Sequence, residues 1–234
     1  MKTVLFDLDG TLLPMDQEAF IKAYFGGLAT KMVPYGYDPQ KLIQAIWAGT
    51  EAMIRNDGQC TNEEAFWKGS AKVLGEGFRK DEPIFDDFYN NEFRFVSTSC
   101  GFAPQSAQII AMLKEKGCRL ILATNPIFPA IATHGRIQWA GLRTEDFQLI
   151  TTYENSHYCK PNPAYYREIL GKIGEDPQNC LMIGNDVTED MIARELSMEV
   201  FLLTDCMINK SGKDIATYPN GDFSALRAFL EERI

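Results

Sequence analysis

Val4-Leu5-Phe6-Asp7-Leu8-Asp9-Gly10-Thr11-Leu12-Leu13 starts as a short apolar run and stops on two carboxylates and a glycine. A bounded apolar run of this length predicts a buried strand rather than a helix. Asp7 and Asp9 are two residues apart, so both side chains can lie on one side of the strand exit. Gly10 permits a tight turn with backbone open to a ligand. Two neighbouring carboxylates repel, and need a cation, a shared proton or full hydration. A calcium loop of the EF-hand type requires alternating oxygen ligands before its glycine and a closing glutamate. Here Gly10 comes too early and Leu12-Leu13 follow.

The rest of the chain bounds what surrounds that strand end. Its 234 residues suffice for one large α/β domain, or a core with a modest insert. A hydrophobic content of 45% and an aromatic content of 12% permit a substantial core and argue against disorder. The formal charge of −9 disfavours a nucleic-acid surface, although a small anion in a local positive pocket is compatible with it. There is no basic run, long apolar span or signal-like start, so no membrane partner and a cytoplasmic location are expected. The six cysteines are scattered without a Cys-x-x-Cys pair, and His134 and His157 are the only histidines. Neither pattern is that of a zinc or redox site.

Between Pro14 and about Cys100 apolar residues recur at helical spacing. Asp16 is a candidate cap for one helix, Pro39 to Arg55 forms a second, and Thr61-Asn62-Glu63-Glu64 opens a third. A fourth is predicted from about Glu82 to Val96. From Phe102 onward helices alternate with short apolar strands. Strands are predicted at Arg119–Ala123, Phe147–Thr151, Cys180–Ile183 and Val200–Leu203. The helices before, between and after them run through Ala107–Leu113, Pro129–Trp139, Pro163–Leu170, Thr188–Leu196 and Phe223–Glu232. Repeated βα units predict a doubly wound parallel sheet with helices on both faces. The expected organisation is a core of residues 1–15 and 100–234 interrupted by a helical cap of residues 16–99. A cap leaving beside the acidic strand end would overhang it, as a lid does.

Three later strand ends carry polar residues: Thr124-Asn125, Lys160-Pro161-Asn162-Pro163, and Gly184-Asn185-Asp186-Val187-Thr188-Glu189-Asp190. Singly, each reads equally as a turn, an exposed lysine or ordinary acidity at a helix start. Together they put a carboxylate pair, a hydroxyl, a lysine and a second acidic cluster at the ends of strands in one sheet. Ligands of such sheets sit at those ends. Phosphoryl transfer requires this inventory: a nucleophile, oxygens for magnesium, and donors around the transferred group.

Asp7-Leu8-Asp9-Gly10-Thr11, Thr124-Asn125, Lys160-Pro161 and Gly184-Asn185-Asp186 with Asp190 resemble, in order, the motifs of the haloacid dehalogenase superfamily. The insert matches the position of that family's C1-type cap. The resemblance implies a Rossmann-like core and a magnesium-dependent phosphatase acting on a small phosphorylated metabolite. Asp7 would be the nucleophile that becomes an aspartyl-phosphate, and Asp9 the general acid and base. Gly10 and Thr11, through backbone donors, together with Thr124, Asn125 and Lys160, would hold the phosphate. Mg2+ would be bound by the Asp7 carboxylate, the Asp9 carbonyl and Asp186. Many relatives have Gly-Asp where this chain has Gly184-Asn185, so by spacing either Asn185 or Asp186 could be the ligand. A carboxylate binds magnesium more strongly than an amide, which favours Asp186, with Asn185 and Asp190 in support.

The dehalogenase branch lacks the second aspartate and needs no metal, which puts phosphatase ahead of it. A phosphosugar mutase of the same superfamily is the alternative. From another class, a receiver-like phospho-acceptor or a non-catalytic binding protein would use similar residues. The cap aromatics Tyr24, Phe25, Trp47, Phe66, Trp67, Phe85, Phe88 and Tyr89 are expected to pack the core. Lys22, Lys31, Arg55, Lys68 and Arg79 could reach an anionic substrate or simply lie on solvated faces.

Overall fold

A computed structural model of the protein describes residues 2–234. The first strand, β1 (Thr3–Phe6), is fully buried, and its residues alternate between two faces of the sheet. Val4 and Phe6 join one hydrophobic cluster while Leu5 joins another. After the helical insert the chain forms α5 (Pro104–Glu115), β2 (Arg119–Leu122), α6 (Ala130–Trp139), β3 (Leu149–Ile150) and α7 (Pro163–Ile173). It continues through β4 (Cys180–Gly184), β5 (Glu199–Leu203), β6 (Asn220–Gly221) and α8 (Phe223–Glu231). All strand pairs are parallel, in the order β3-β2-β1-β4-β5-β6. Residues of α5, α6 and α8 cover the Val4/Phe6 face, and residues of α7 cover the Leu5 face. This is the doubly wound sheet with buried strands that repeated βα units predict.

Strand order reverses around β1, which pairs with β2 on one side and β4 on the other. The carboxyl end of β1, where Asp7 and Asp9 follow, therefore opens into the crevice at the switch point of the sheet.

The insert consists of α1 (Gln17–Met32), α2 (Pro39–Ile54), α3 (Asn62–Leu74) and α4 (Glu82–Asn91). Asp16 caps α1, Asp38 caps α2, and Thr61 with Glu64 forms a capping box on α3, each satisfying amides that a helix start leaves free. The chain leaves and returns at one place, where Met15 pairs antiparallel with Cys100 and the Gly101 amide donates to the Pro14 carbonyl at 2.7 Å. The start of α3 rests on the core: the amides of Asn62 and Glu63 donate to the carbonyls of Ser156 and Tyr153 at 2.8 and 2.9 Å.

Several expected elements differ. The fourth cap helix stops at Asn91 and continues as a 3-10 segment, Phe93–Ser99. Hydroxyls of Ser97, Thr98 and Ser99 donate to carbonyls three residues back, which favours the tighter winding. The strand expected at 147–151 reduces to Leu149–Ile150, because Asn155 draws the chain after it into a turn by accepting from the Thr152 amide. Residues 188–196 form a turn and a 3-10 segment, Met191–Leu196, instead of an α-helix. Lys160 and the Asp186 amide hold Asp190 in the core there. The two-residue β6 was unanticipated, being too short to show alternation. No helix among the described residues is long and apolar enough to cross a membrane.

Candidate active site

The Asp7 amide donates to the Ile183 carbonyl of β4 at 2.9 Å, extending the sheet ladder by one residue. The chain then turns sharply: the Leu8 carbonyl accepts from Thr11 and Leu13, and the Gly10 amide donates to the Leu13 carbonyl at 2.8 Å. Gly10 has φ +86°, and a Cβ there would lie 2.3 Å from the Asn185 amide nitrogen. Glycine is required on both counts. The amides of Gly10 and Thr11, expected as phosphate donors, are thus already engaged inside this turn. Thr11 instead offers its hydroxyl, which reaches Asp7 Oδ2 at 3.2 Å and Asn185 Oδ1 at 3.0 Å.

Lys160 is 1% exposed and lies between two carboxylates, 2.8 Å from Asp7 Oδ1 and 2.6 Å from Asp190 Oδ1. Burial opposes its charge, but Asp190 and Asp7 more than compensate and hold its pKa well above the ordinary lysine value. The lysine is placed from both sides of its own backbone: its amide donates to Asn125 Oδ1 at 3.2 Å, and Asn162 caps α7. Asn125 also donates to Glu189 Oε2 at 3.1 Å. The Thr124 carbonyl, at the end of β2, accepts from Thr151 and Tyr165 hydroxyls at 2.7 and 2.8 Å. Gly184 packs against Asp190 so closely that a Cβ would meet its Oδ2 at 2.1 Å.

Asp9 points elsewhere. Its Oδ2 is paired with Arg136 of α6, while Oδ1 is buried with no hydrogen-bond partner among the described residues. Burial raises its carboxyl above the usual range, with Arg136 pulling the other way. Arg136 is 1% exposed and its guanidinium lies 4.4 Å from the centre of the Phe128 ring. Sequence reading overlooked it, although an arginine four residues after Ala132, on a helix face that also carries Ile137, was a visible anomaly. Glu189, likewise overlooked, is pushed up to about 7, mainly by burial.

The structure brings Asp7, Thr11, Asn125, Lys160, Asn185 and Asp190 into one hydrogen-bonded group. Asp186 stands at its margin. Its Oδ1 accepts from the Thr188 and Glu189 amides at 2.7 and 2.9 Å, and no hydrogen bond or ion pair among the described residues joins its carboxylate to Asp7. The amide side chain of Asn185 is the nearer of the two alternatives, linked to Asp7 through the Thr11 hydroxyl. The Asp7, Asn185 and Asp186 side chains all offer oxygen, the donor type magnesium takes. Among the described residues no cluster of three acidic, histidine or cysteine side chains is arranged to hold an ion. Magnesium commonly needs only one or two protein carboxylates beside water and substrate, so the donor set fits it.

Beside Asp9 and Glu189 lies a cavity of about 400 Å³ between sheet and cap. The cap aromatics expected as core packing are both: all but Phe88 line this cavity while also packing against one another.

The sequence model of the haloacid dehalogenase-like hydrolases matches residues 1–195. Among curated proteins, a glyceraldehyde 3-phosphate phosphatase of Methanothermobacter thermautotrophicus is 23% identical, over 98% of this chain and 100% of its own length. A phosphoglycolate phosphatase of Neisseria gonorrhoeae is 25% identical, over 82% and 75%. Among solved structures, a HAD phosphatase from Thermococcus onnurineus superposes with a TM-score of 0.57 at 20% identity, covering 98% of each chain.

Proposed function

The chain belongs to the haloacid dehalogenase-like hydrolases, and on that premise we propose that it is a magnesium-dependent phosphatase of a small phosphorylated metabolite. The observation that carries this reading is the Asp7 carboxylate, held by Lys160 on one oxygen and Thr11 on the other, with the raised Asp9 carboxyl two residues on. Asp7 attacks phosphorus, the bond to the leaving oxygen breaks, and Asp9 supplies the proton that oxygen needs. Asp9, now a carboxylate, takes a proton from the water that hydrolyses the aspartyl-phosphate. A carboxyl held above its usual range by burial suits both halves of that cycle.

Lys160 and the Thr11 and Thr124 side chains hold the phosphoryl oxygens, and Asn125 keeps the Lys160 backbone in position. Asp7, the Asp9 carbonyl and Asp186 would hold the magnesium ion, with Asn185 supporting through its oxygen. When bound, the ion would neutralise charge on the phosphoryl group. The catalytic core comprises residues 1–15 and 100–234, and residues 16–99 form the cap that excludes water. The two curated relatives, named for phosphorylated two- and three-carbon compounds, support the substrate class.

The test is release of inorganic phosphate from a panel of phosphorylated metabolites, with and without magnesium. Wild type is expected to release phosphate only with the metal, and Asp7→Asn to release none. Asp9→Asn is expected to accumulate phosphorylated enzyme. Release that survives Asp7→Asn, or no release across the panel, would overturn the reading.

A further inference from the structure

Resting on the phosphatase reading, we propose that the substrate is a phosphate monoester of an aromatic alcohol whose leaving group carries no negative charge. The cavity beside Asp9 holds the leaving group, and its volume of about 400 Å³ is within the range of sites for whole small molecules. It equals the liquid volume of roughly a dozen waters, far more than a two-carbon alcohol displaces.

Ten of its lining residues are aromatic, drawn from α1, α2, α3, α4 and the loops after β2 and β3. Trp47 and Phe25 stand with ring centres 5.5 Å apart on one wall, and Phe66 and Trp67 at 5.2 Å on another. Ring edges and faces at these spacings receive a further ring in offset or edge-on packing.

The charge of the lining completes the argument. Asp9, Glu82, Asp86 and Glu189 are the four acidic groups of the lining, the first and last raised by burial, against Lys210 alone as a cation. None of Lys22, Lys31, Arg55, Lys68 or Arg79 lines the cavity. Lys31 is paired with Asp87 and Glu92, Arg55 with Glu51, and Arg79 with Glu63. A carboxylate on the leaving group would face acidic side chains with no cap cation to pair it, a costly arrangement away from bulk water.

The experiment compares kcat/KM for benzyl phosphate, ethyl phosphate and 2-phosphoglycolate with the intact magnesium-loaded enzyme. Benzyl phosphate is expected to exceed each of the others by about tenfold or more, the scale of burying one ring. Trp47 is 48% exposed, so Trp47→Ala removes a wall at little cost to folding. It is expected to lower the benzyl-to-ethyl ratio by about fivefold or more. Asp86→Lys should raise activity on 2-phosphoglycolate relative to ethyl phosphate. A preference for 2-phosphoglycolate, or a benzyl-to-ethyl ratio near one in wild type, would overturn this proposal and leave the phosphatase reading standing. Absence of hydrolysis of all three, and of every other ester, would instead remove the phosphatase reading on which it rests.

Discussion

Lys160→Met removes the cation that two buried carboxylates share. At contacts of 2.8 and 2.6 Å and an effective dielectric of about 20, each attraction is worth roughly 6 kcal/mol gross. Desolvating three charges costs several kcal/mol per group, so the net value of the cluster is small. Removing its centre is not small, because Asp7 and Asp190 are then buried beside each other without compensation. Loss of one partner from such a cluster costs about 4 kcal/mol, which for a chain of this size lowers Tm by roughly 8–16 °C. Urea unfolding followed by circular dichroism, with calorimetry for Tm, measures both. The second variant, Lys160→Met with Asp190→Asn, isolates the cause. Asparagine retains an oxygen for the Asp186 amide but brings no charge, so the double variant should regain about 2 kcal/mol over Lys160→Met. A loss below about 1 kcal/mol in Lys160→Met, or a double variant no more stable than the single one, would refute the electrostatic reasoning.

Arg136→Met leaves Asp9 without its buried partner and should destabilise the protein by about 3 kcal/mol in urea unfolding. Arg136→Lys should recover less than half of that, since a point charge cannot reproduce the guanidinium that stacks on Phe128. Gly184→Ala drives a Cβ into Asp190, which Lys160 and the Asp186 amide hold fixed, and should cost about 1–3 kcal/mol. Gly26→Ala, on an exposed face of α1 with open space around it, should instead stabilise by about 0.5–1 kcal/mol by the same measurement. Glu168 is penalised by burial, yet the His157 amide and ring and Lys172 bring its carboxyl below the ordinary value of 4.5. A depressed carboxyl stabilises the fold above its unfolded pKa and loses that contribution as pH falls through the folded value. Glu168→Gln should therefore be less stable than wild type by about 1 kcal/mol at pH 7, with the difference shrinking as pH falls below the ordinary carboxyl value.

The sheet and most helices were legible because local periodicity reports burial directly. Val4 to Phe6 alternates between two covered faces, and caps such as Asp16, Asp38 and Thr61 mark where helices begin. Asp7, Lys160 and Asp190 were singled out from residue type at strand ends, and a parallel sheet necessarily gathers its strand ends along one edge. What local pattern cannot report is which side chain turns toward which. Arg136 meets Asp9 across 127 residues of chain, and nothing near either residue encodes that approach. Asn185 and Asp186 are adjacent, so spacing could not separate them. Only the tertiary structure shows how their surroundings differ: Asp186 Oδ1 accepts from the Thr188 and Glu189 amides, while Asn185 is linked to Asp7 through the Thr11 hydroxyl. The cap aromatics look alike in sequence whether they fill a core or surround a space. The packing of four helices over the sheet decided that seven of those eight rings border a cavity, because a void depends on the shapes of all its walls together.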